Sequence, residues 1–346
     1  MTPAKPAARM DAIAAALHVS AATVSNALSG KGRVSAELAA RIRQKANELG
    51  YVPSQAARAL RTGRTGVIGL VLPDISNPFF PQLAQAIEGA ASAAGYSVLI
   101  ADSRGEVSQQ TSAITRLIER GVDGVIVIPR RGSRIVDVGA PVAVIDSPST
   151  PGNTVSADHW DGGVQMGRHL ASLGHRKVML VSQSRSSNVQ NDRLGGLKEG
   201  LGSGVQVEKL WVEELEERQG AGCGLGLAAR VRNGVTAFAA VSDLLALRML
   251  TELQGDGIEV PRQASVSGFD DLIWSAVVTP ALTTLRQDVK EIATRAVEAL
   301  SQAINLKLGG ADQHQERPEA GDRVAMRLVV RGSTGAALQV PGDLAT

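Results

Sequence analysis

From Val67 onward the sequence keeps repeating a pattern that few folds accommodate. A short, continuous apolar run is followed by a stretch of helical period, and then by another such run. The runs are Val67–Leu72, Tyr96–Ala101, Val125–Ile128, Val142–Ile145, Val178–Val181, Ala237–Val241 and Ser265–Gly268. Helical stretches fall at Leu83–Ala94, Ser108–Glu119, Gly163–Leu173, Leu194–Leu201 and Leu244–Leu253. Strands that are apolar without alternation are buried on both faces, which argues for parallel sheets covered by helices. About 270 residues of this pattern exceed one ordinary core and point to two doubly wound α/β lobes. Aromatics make up only 3% of the 346 residues, so Ala, Val, Leu and Ile must fill those cores.

In such lobes ligands bind beyond the carboxyl ends of the strands. Asp74, Asp102, Asp146, Asp243 and Asp270 each follow a predicted strand, Phe79 and Phe80 lie just past the first, and Arg193 is placed at the opening of a helix. A lone Asp in such a place is as often a helix cap as a ligand contact.

The first 66 residues are different. They carry ten Lys/Arg against three Asp/Glu, a net of +7, while the remaining 280 carry 26 against 31, a net of −5. A basic head on an acidic body suggests a polyanionic partner for the head. Asp11–Leu17 reads as a short helix and His18-Val19 as a turn. Ser20 caps a second helix whose inner stripe is Val24, Ala27 and Leu28. Ser35 caps a third, with Leu38, Ile42, Ala46 and Leu49 inward and Gly50 just past its end. Two short helices and a tight turn, completed by a third helix, make a helix-turn-helix. The second helix then shows small residues outward: Ala21, Ala22, Ser25 and Asn26. Small side chains let a helix lie deep in a major groove, and an amide can pair bidentately with adenine. Pro53 breaks the chain before a short basic stretch, Gln55–Leu60, too short to be a stable helix alone. It is expected to fold on DNA with Leu60 wedged between base steps of the minor groove.

DAIAAALHVSAATVSNALSG, VSAELAARIRQKANELGYVPSQAARALRTGRTGVIGLVLPDISNPFF, RGVDGVIVIP, LGHRKVMLV, DRLGGLKEGL, VPRQASVSGFDD, TPALTTLRQDV and LVVRGST together resemble LacI/GalR-family transcription regulators over roughly residues 8–334. The resemblance implies a helix-turn-helix domain over 1–53, a hinge helix and linker over 54–65, and a core over 66–335. That core would be two interleaved lobes shaped like a periplasmic binding protein, crossed three times by the chain and followed by a tail over 336–346. It assigns base reading to Ala21, Ala22 and Asn26. Ser20, Thr23 and Ser25 become phosphate or helix-surface contacts. Arg33 and Ser35 complete the head's DNA-facing set, with Ala57 and Arg58 flanking the wedge Leu60. It also implies effector contacts at Phe79, Phe80, Asp146, Arg193, Asp243 and Asp270. Trp274, close after GFDD, is the aromatic expected to offer a ring face to a sugar. Carboxylates accepting from vicinal hydroxyls beside a donating guanidinium suit a polyol. Two positions depart from the family: Asn26, where Arg is commonest, and Ser29, where Asn is usual. The family's common aromatic before the second-lobe helix is not apparent in ERQGAGCGLGLAARV.

The expected function is therefore a repressor that binds a near-palindromic operator as a homodimer under control of a small, sugar-like effector. It would act in the cytoplasm, with no membrane partner and no cofactor. A solute-binding protein for transport would share the core, but MTPAKPAARMDAIAAALHVS lacks the apolar run of a secretory signal. An enzyme is disfavoured. His18, His159, His169, His175 and His314 show no metal-ligand spacing, there is no Walker motif, and Cys223 is the sole cysteine.

Overall fold

The computed structural model describes residues 10–29, 34–51, 63–129, 135, 138–146, 154–308 and 322–338. The chain divides into two compact units, Met1–Thr65 and Gly66–Thr346.

The first unit holds α1 (Met10–Leu17), α2 (Ala21–Ser29) and α3 (Ala36–Glu48). Ile13, Ala14, Val24, Ala27, Ala39, Ile42 and Ala46 meet in one small core. Between α1 and α2 the turn passes through His18 at φ 53. Ser20 Oγ then accepts the Thr23 N–H at 3.1 Å, starting α2. Ser35 caps α3 in the same way, accepting from Leu38 N–H at 3.3 Å. Gly50, at φ 62, takes the left-handed conformation that ends α3.

The second unit contains two parallel sheets of the same design. The first is β2-β1-β3-β4, from β1 (Val67–Leu72), β2 (Ser97–Asp102), β3 (Gly124–Val127) and β4 (Val142–Val144). The second is β7-β6-β8-β9, from β6 (Lys177–Ser182), β7 (Gln206–Trp211), β8 (Ala237–Ala240) and β9 (Ser265–Ser267). In β1, Ile68, Leu70 and Leu72 pack with Leu83 and Ile87 of α4 (Phe79–Ala93), while Val71 turns to Ala113, Ile114 and Leu117 of α5 (Val107–Glu119). Both faces are thus apolar, which is why the run shows no alternation. The second sheet is covered on one face by α6 (His159–Ser172) and α7 (Asn188–Leu201). On the other lie α9 (Leu227–Arg232) and α10 (Asp243–Gly255), reached from β7 through α8 (Val212–Gln219).

The lobes are interleaved. The chain leaves the first after β5 (Val155–Ala157) and returns after β10 (Thr284–Arg286), so that α11 (Val289–Leu308) packs on α4, β3 and β4. β11 (Asp322–Val324) pairs with β5 in the first lobe, and β12 (Arg327–Val329) crosses once more to pair with β10.

Four glycines set the closest approach in the molecule's second lobe. A Cβ on Gly163 or Gly167 of α6 would lie 2.5 Å from Arg193 O and 2.4 Å from Leu197 O; one on Gly196 or Gly200 of α7 would lie 2.0 Å from Trp160 O and 2.2 Å from Val164 O. The helices therefore touch backbone to backbone, which only glycine permits. The helix starts also differ from expectation. Asp158 accepts from Asp161 N–H and Ser187 from Gln190 N–H, so α6 and α7 each begin several residues earlier than their apolar stripes suggest. Arg193 sits inside α7 and not at its opening.

Candidate functional site

In the first unit, Ala21, Ala22 and Asn26 are exposed on one side of α2, opposite the buried Val24 and Ala27. Ser20 and Ser35 are exposed, and Thr23 and Ser25 half-buried. The expected DNA contacts Arg33, Ala57, Arg58 and Leu60 lie outside the described residues.

In the second unit a cavity of ≈ 580 Å³ opens where the carboxyl ends of both sheets face each other. Of the seven residues expected at an effector, five line it: Phe79, Phe80, Asp146, Arg193 and Asp270. Phe79 and Phe80 form an edge-to-face pair with ring centres 5.5 Å apart. Asp146 follows β4 at φ 58 and Asp270 follows β9 at φ 107, left-handed conformations that cost a non-glycine residue strain.

Behind the wall the charges form one buried chain. Arg193 Nη2 donates to Asp270 Oδ1 at 3.0 Å and Nη1 to Val241 O at 2.6 Å, and its guanidinium stacks 4.9 Å from the centre of the Phe269 ring. Gln287 Nε2 also donates to Asp270 Oδ1, at 2.9 Å. Arg193 Nε donates to His159 Nδ1 at 3.3 Å, and His159 Nε2 lies 3.1 Å from Asp146 Oδ1. Burial alone would raise the Asp146 carboxyl. The facing His159, the Ala157 N–H and Arg193 outweigh it and hold Asp146 below its ordinary value. At Asp270 burial prevails over Arg193 and Gln287, and the carboxyl is raised.

Asp243 and Trp274 do not line the cavity. Asp243 is fully buried at the start of α10, where its carboxylate accepts from Leu272 N–H at 2.8 Å, Ser275 O–H at 2.6 Å and Thr284 O–H at 2.5 Å. It anchors the loop after β9. Burial, with the nearby Asp270 charge, raises its pKa to about 7. Trp274 stands 44% exposed on the short 3-10 turn Ile273–Ala276, beyond the left-handed pair Asp270-Asp271 that turns the chain aside.

Sequence reasoning missed polar lining residues of the cavity and, outside its lining, one aromatic–cation pair. Gln183, Ser186, Asn188 and Gln190, around the start of α7, face the cavity, as does Arg248, which is already held by Glu216 at 2.7 Å and Cys223 O at 2.6 Å. Trp211 ends β7 with the Arg185 guanidinium 4.7 Å from the centre of its ring. For Gln183, a polar residue just after a strand was the available signal; Trp211 ends an edge strand with no continuous apolar run. Among the described residues no cluster of His, Cys, Asp or Glu could hold a metal ion, and no helix is long and apolar enough to cross a membrane.

Residues 9–54 match the family model for bacterial regulatory proteins of the lacI family, and residues 168–334 the periplasmic binding protein-like domain. The HTH-type transcriptional regulator DegA of Bacillus subtilis is 31% identical over 344 residues, covering 93% of this chain and 96% of DegA. The ribose operon repressor of Haemophilus influenzae is 28% identical, covering 86% and 92%. Among solved structures, the lac repressor dimer bound to operator and the anti-inducer ONPF superposes with a TM-score of 0.78 at 25% identity, covering 95% of this chain and all of that one. The helix-turn-helix head, the two α/β lobes and these likenesses agree: the chain belongs to the LacI family of bacterial transcriptional regulators.

Proposed function

We propose that the protein is a dimeric repressor that reads a near-palindromic operator and is controlled by a sugar or sugar derivative held between the core lobes. It would act in the cytoplasm, where genomic DNA is accessible. The observation that carries the effector reading is the cavity wall itself. Asp146 and Asp270 offer acceptors, Arg193 a donor, and Phe79 and Phe80 an apolar face, the chemistry a polyhydroxylated ring requires. The ribose operon repressor and the lac repressor are relatives whose names point the same way. A second copy is the partner that suits the exposed apolar side chains of the core, Leu99 and Ile100 on the edge strand β2 and Ile273 and Val277 beyond β9.

On the DNA side, Ala21, Ala22 and Asn26 read bases and Ser20, Thr23, Ser25 and Ser35 hold the backbone, joined by Arg33, Ala57, Arg58 and Leu60. A solute-binding role would leave this head without a use. Two measurements test the proposal. Selection from randomised duplexes should return a two-fold symmetric site; an asymmetric or featureless pool refutes the operator reading. A thermal-melt screen against sugars, sugar acids, polyols and purines should give one chemically coherent set of hits, since a ligand at a hundred times its Kd adds about 2.7 kcal/mol. Hits confined to purines would replace the sugar.

A further inference from the structure

Asp146 and Arg193 come from different lobes, both face the cavity, and one buried side chain stands between them. His159 begins α6 immediately after the first crossover, is 2% exposed and does not line the cavity. Its Nδ1 accepts from Arg193 Nε. A guanidinium N–H can only donate, so Nδ1 presents its lone pair and the ring proton sits on Nε2, facing Asp146 Oδ1 at 3.1 Å. The imidazole is thus a directional bridge, donating to one lobe and accepting from the other. The contacts continue through Arg193 to Asp270 and from Asp270 to Gln287, which directly follows β10 at the second crossover. One buried network therefore touches three groups that face the cavity, Asp146 from one lobe and Arg193 and Asp270 from the other, and two of the segments that join those lobes. The glycine contacts between α6 and α7 are what bring His159 and Arg193 within reach.

We propose, resting on the reading of the cavity as the effector site, that His159 is a positioning residue. It holds Asp146 and Arg193 in register across the lobes and transmits occupancy of the cavity to the crossovers. A hydroxyl that takes either partner must compete with the imidazole, and the cost of that competition is felt at residues 157–161 and 286–289.

The test is amide hydrogen exchange on the full chain, free of ligand and then with D-ribose or cellobiose added, for wild type, His159→Gln and His159→Phe. Gln keeps a donor and an acceptor without the ring; Phe keeps a ring without either. Loss of a charge-assisted buried hydrogen bond should accelerate exchange at the two crossovers about tenfold in His159→Phe. His159→Gln should remain near wild type. The reverse order would assign the ring a packing role and overturn the proposal, as would equal or absent effects. Should His159→Phe fail to fold, Asp146→Asn, which weakens one end of the bridge, must show the same faster exchange. If either sugar raises the wild-type melting temperature, it must also change crossover exchange in wild type and not in His159→Phe. If neither does, neither sugar is the effector, and the ligand-free comparison alone decides on His159.

Discussion

Replacing Gly196 by Ala should destabilise the core by an amount the geometry fixes. The new carbon would fall 2.0 Å from Trp160 O, 2.9 Å from Trp160 C and 3.0 Å from Val164 N, against the 3.4–4 Å of ordinary contact. All three neighbours are main-chain atoms of α6, so no rotamer change relieves the overlap and the helices must move apart by an ångström or more. Overpacking of this kind costs ~1–3 kcal/mol, and an immovable backbone places it at the upper end. Alanine's better helix propensity returns about 1 kcal/mol. A net loss of about 2 kcal/mol should lower the melting temperature by roughly 4–8 °C in a unit of this size. Gly89 of α4 supplies the control. Its added carbon meets nothing within 4 Å, so Gly89→Ala gains the propensity alone and should melt about 2–4 °C higher. Differential scanning calorimetry of both variants decides the matter. If Gly196→Ala melts at or above wild type, the backbone contact between α6 and α7 is not as close as described, and the placement of His159 against Arg193 loses its basis.

Three other outcomes are expected. Asp243 has a folded pKa of about 7, above the unfolded carboxylate value, so its protonated form favours the fold: that contribution is complete below about pH 4 and is lost as pH rises to 7. The melting temperature of wild type relative to Asp243→Asn should therefore fall across pH 4–7, and a flat difference would show that Asp243 is already ionised. Arg193→Met leaves Asp270 buried without its counter-charge and should cost ~3–5 kcal/mol in urea unfolding, while adding Asp270→Asn should recover part of it; strict additivity would mean the pair does not interact. Asn26→Arg should move one operator position from adenine toward guanine, with about 1–3 kcal/mol of discrimination measured by competition binding, and an unchanged base preference would remove Asn26 from the reading surface.

The strands nearest the middle of each sheet were plain in the sequence because burial on both faces leaves no polar positions: VIGLVL of β1 and AFAA of β8 read as they stand. Edge strand β7, QVEKLW, has no fully buried residue and breaks its apolar run with Glu208 and Lys209, so Trp211 at its end went unassigned. Helix α11 carries Ile292, Ala293, Ala296, Val297, Leu300 and Ile304 at helical spacing, a legible signal beyond the last stretch to which an element was given. Strand-end reasoning brought Asp146 and Asp270 to the cavity, because parallel sheets aim their carboxyl ends together. It failed for Asp243, since the position after a strand also starts a helix, and a buried first turn can aim a carboxylate into the neighbouring loop. His159 had no signal of its own. Its role depends on how closely two helices approach, and the trace of that lay elsewhere, in glycines four apart at Gly163 and Gly167 and again at Gly196 and Gly200.

Interleaving the lobes also imposes an order on synthesis. The second lobe's sheet and covering helices are encoded by one continuous insertion, α6 through β10, and lack only β12 and the residues just after it from later sequence. The first lobe cannot close its core until α11 has emerged, nor pair the second edge of β5 until β11 has. As the chain leaves the ribosome, the later-encoded lobe therefore completes its sheet first, while the apolar face of β3 and β4, made long before, waits for Leu300 and Ile304 of α11. A nascent chain arrested near residue 290 would carry a nearly finished second lobe and an open first one, and that waiting face is where a chaperone has most reason to bind.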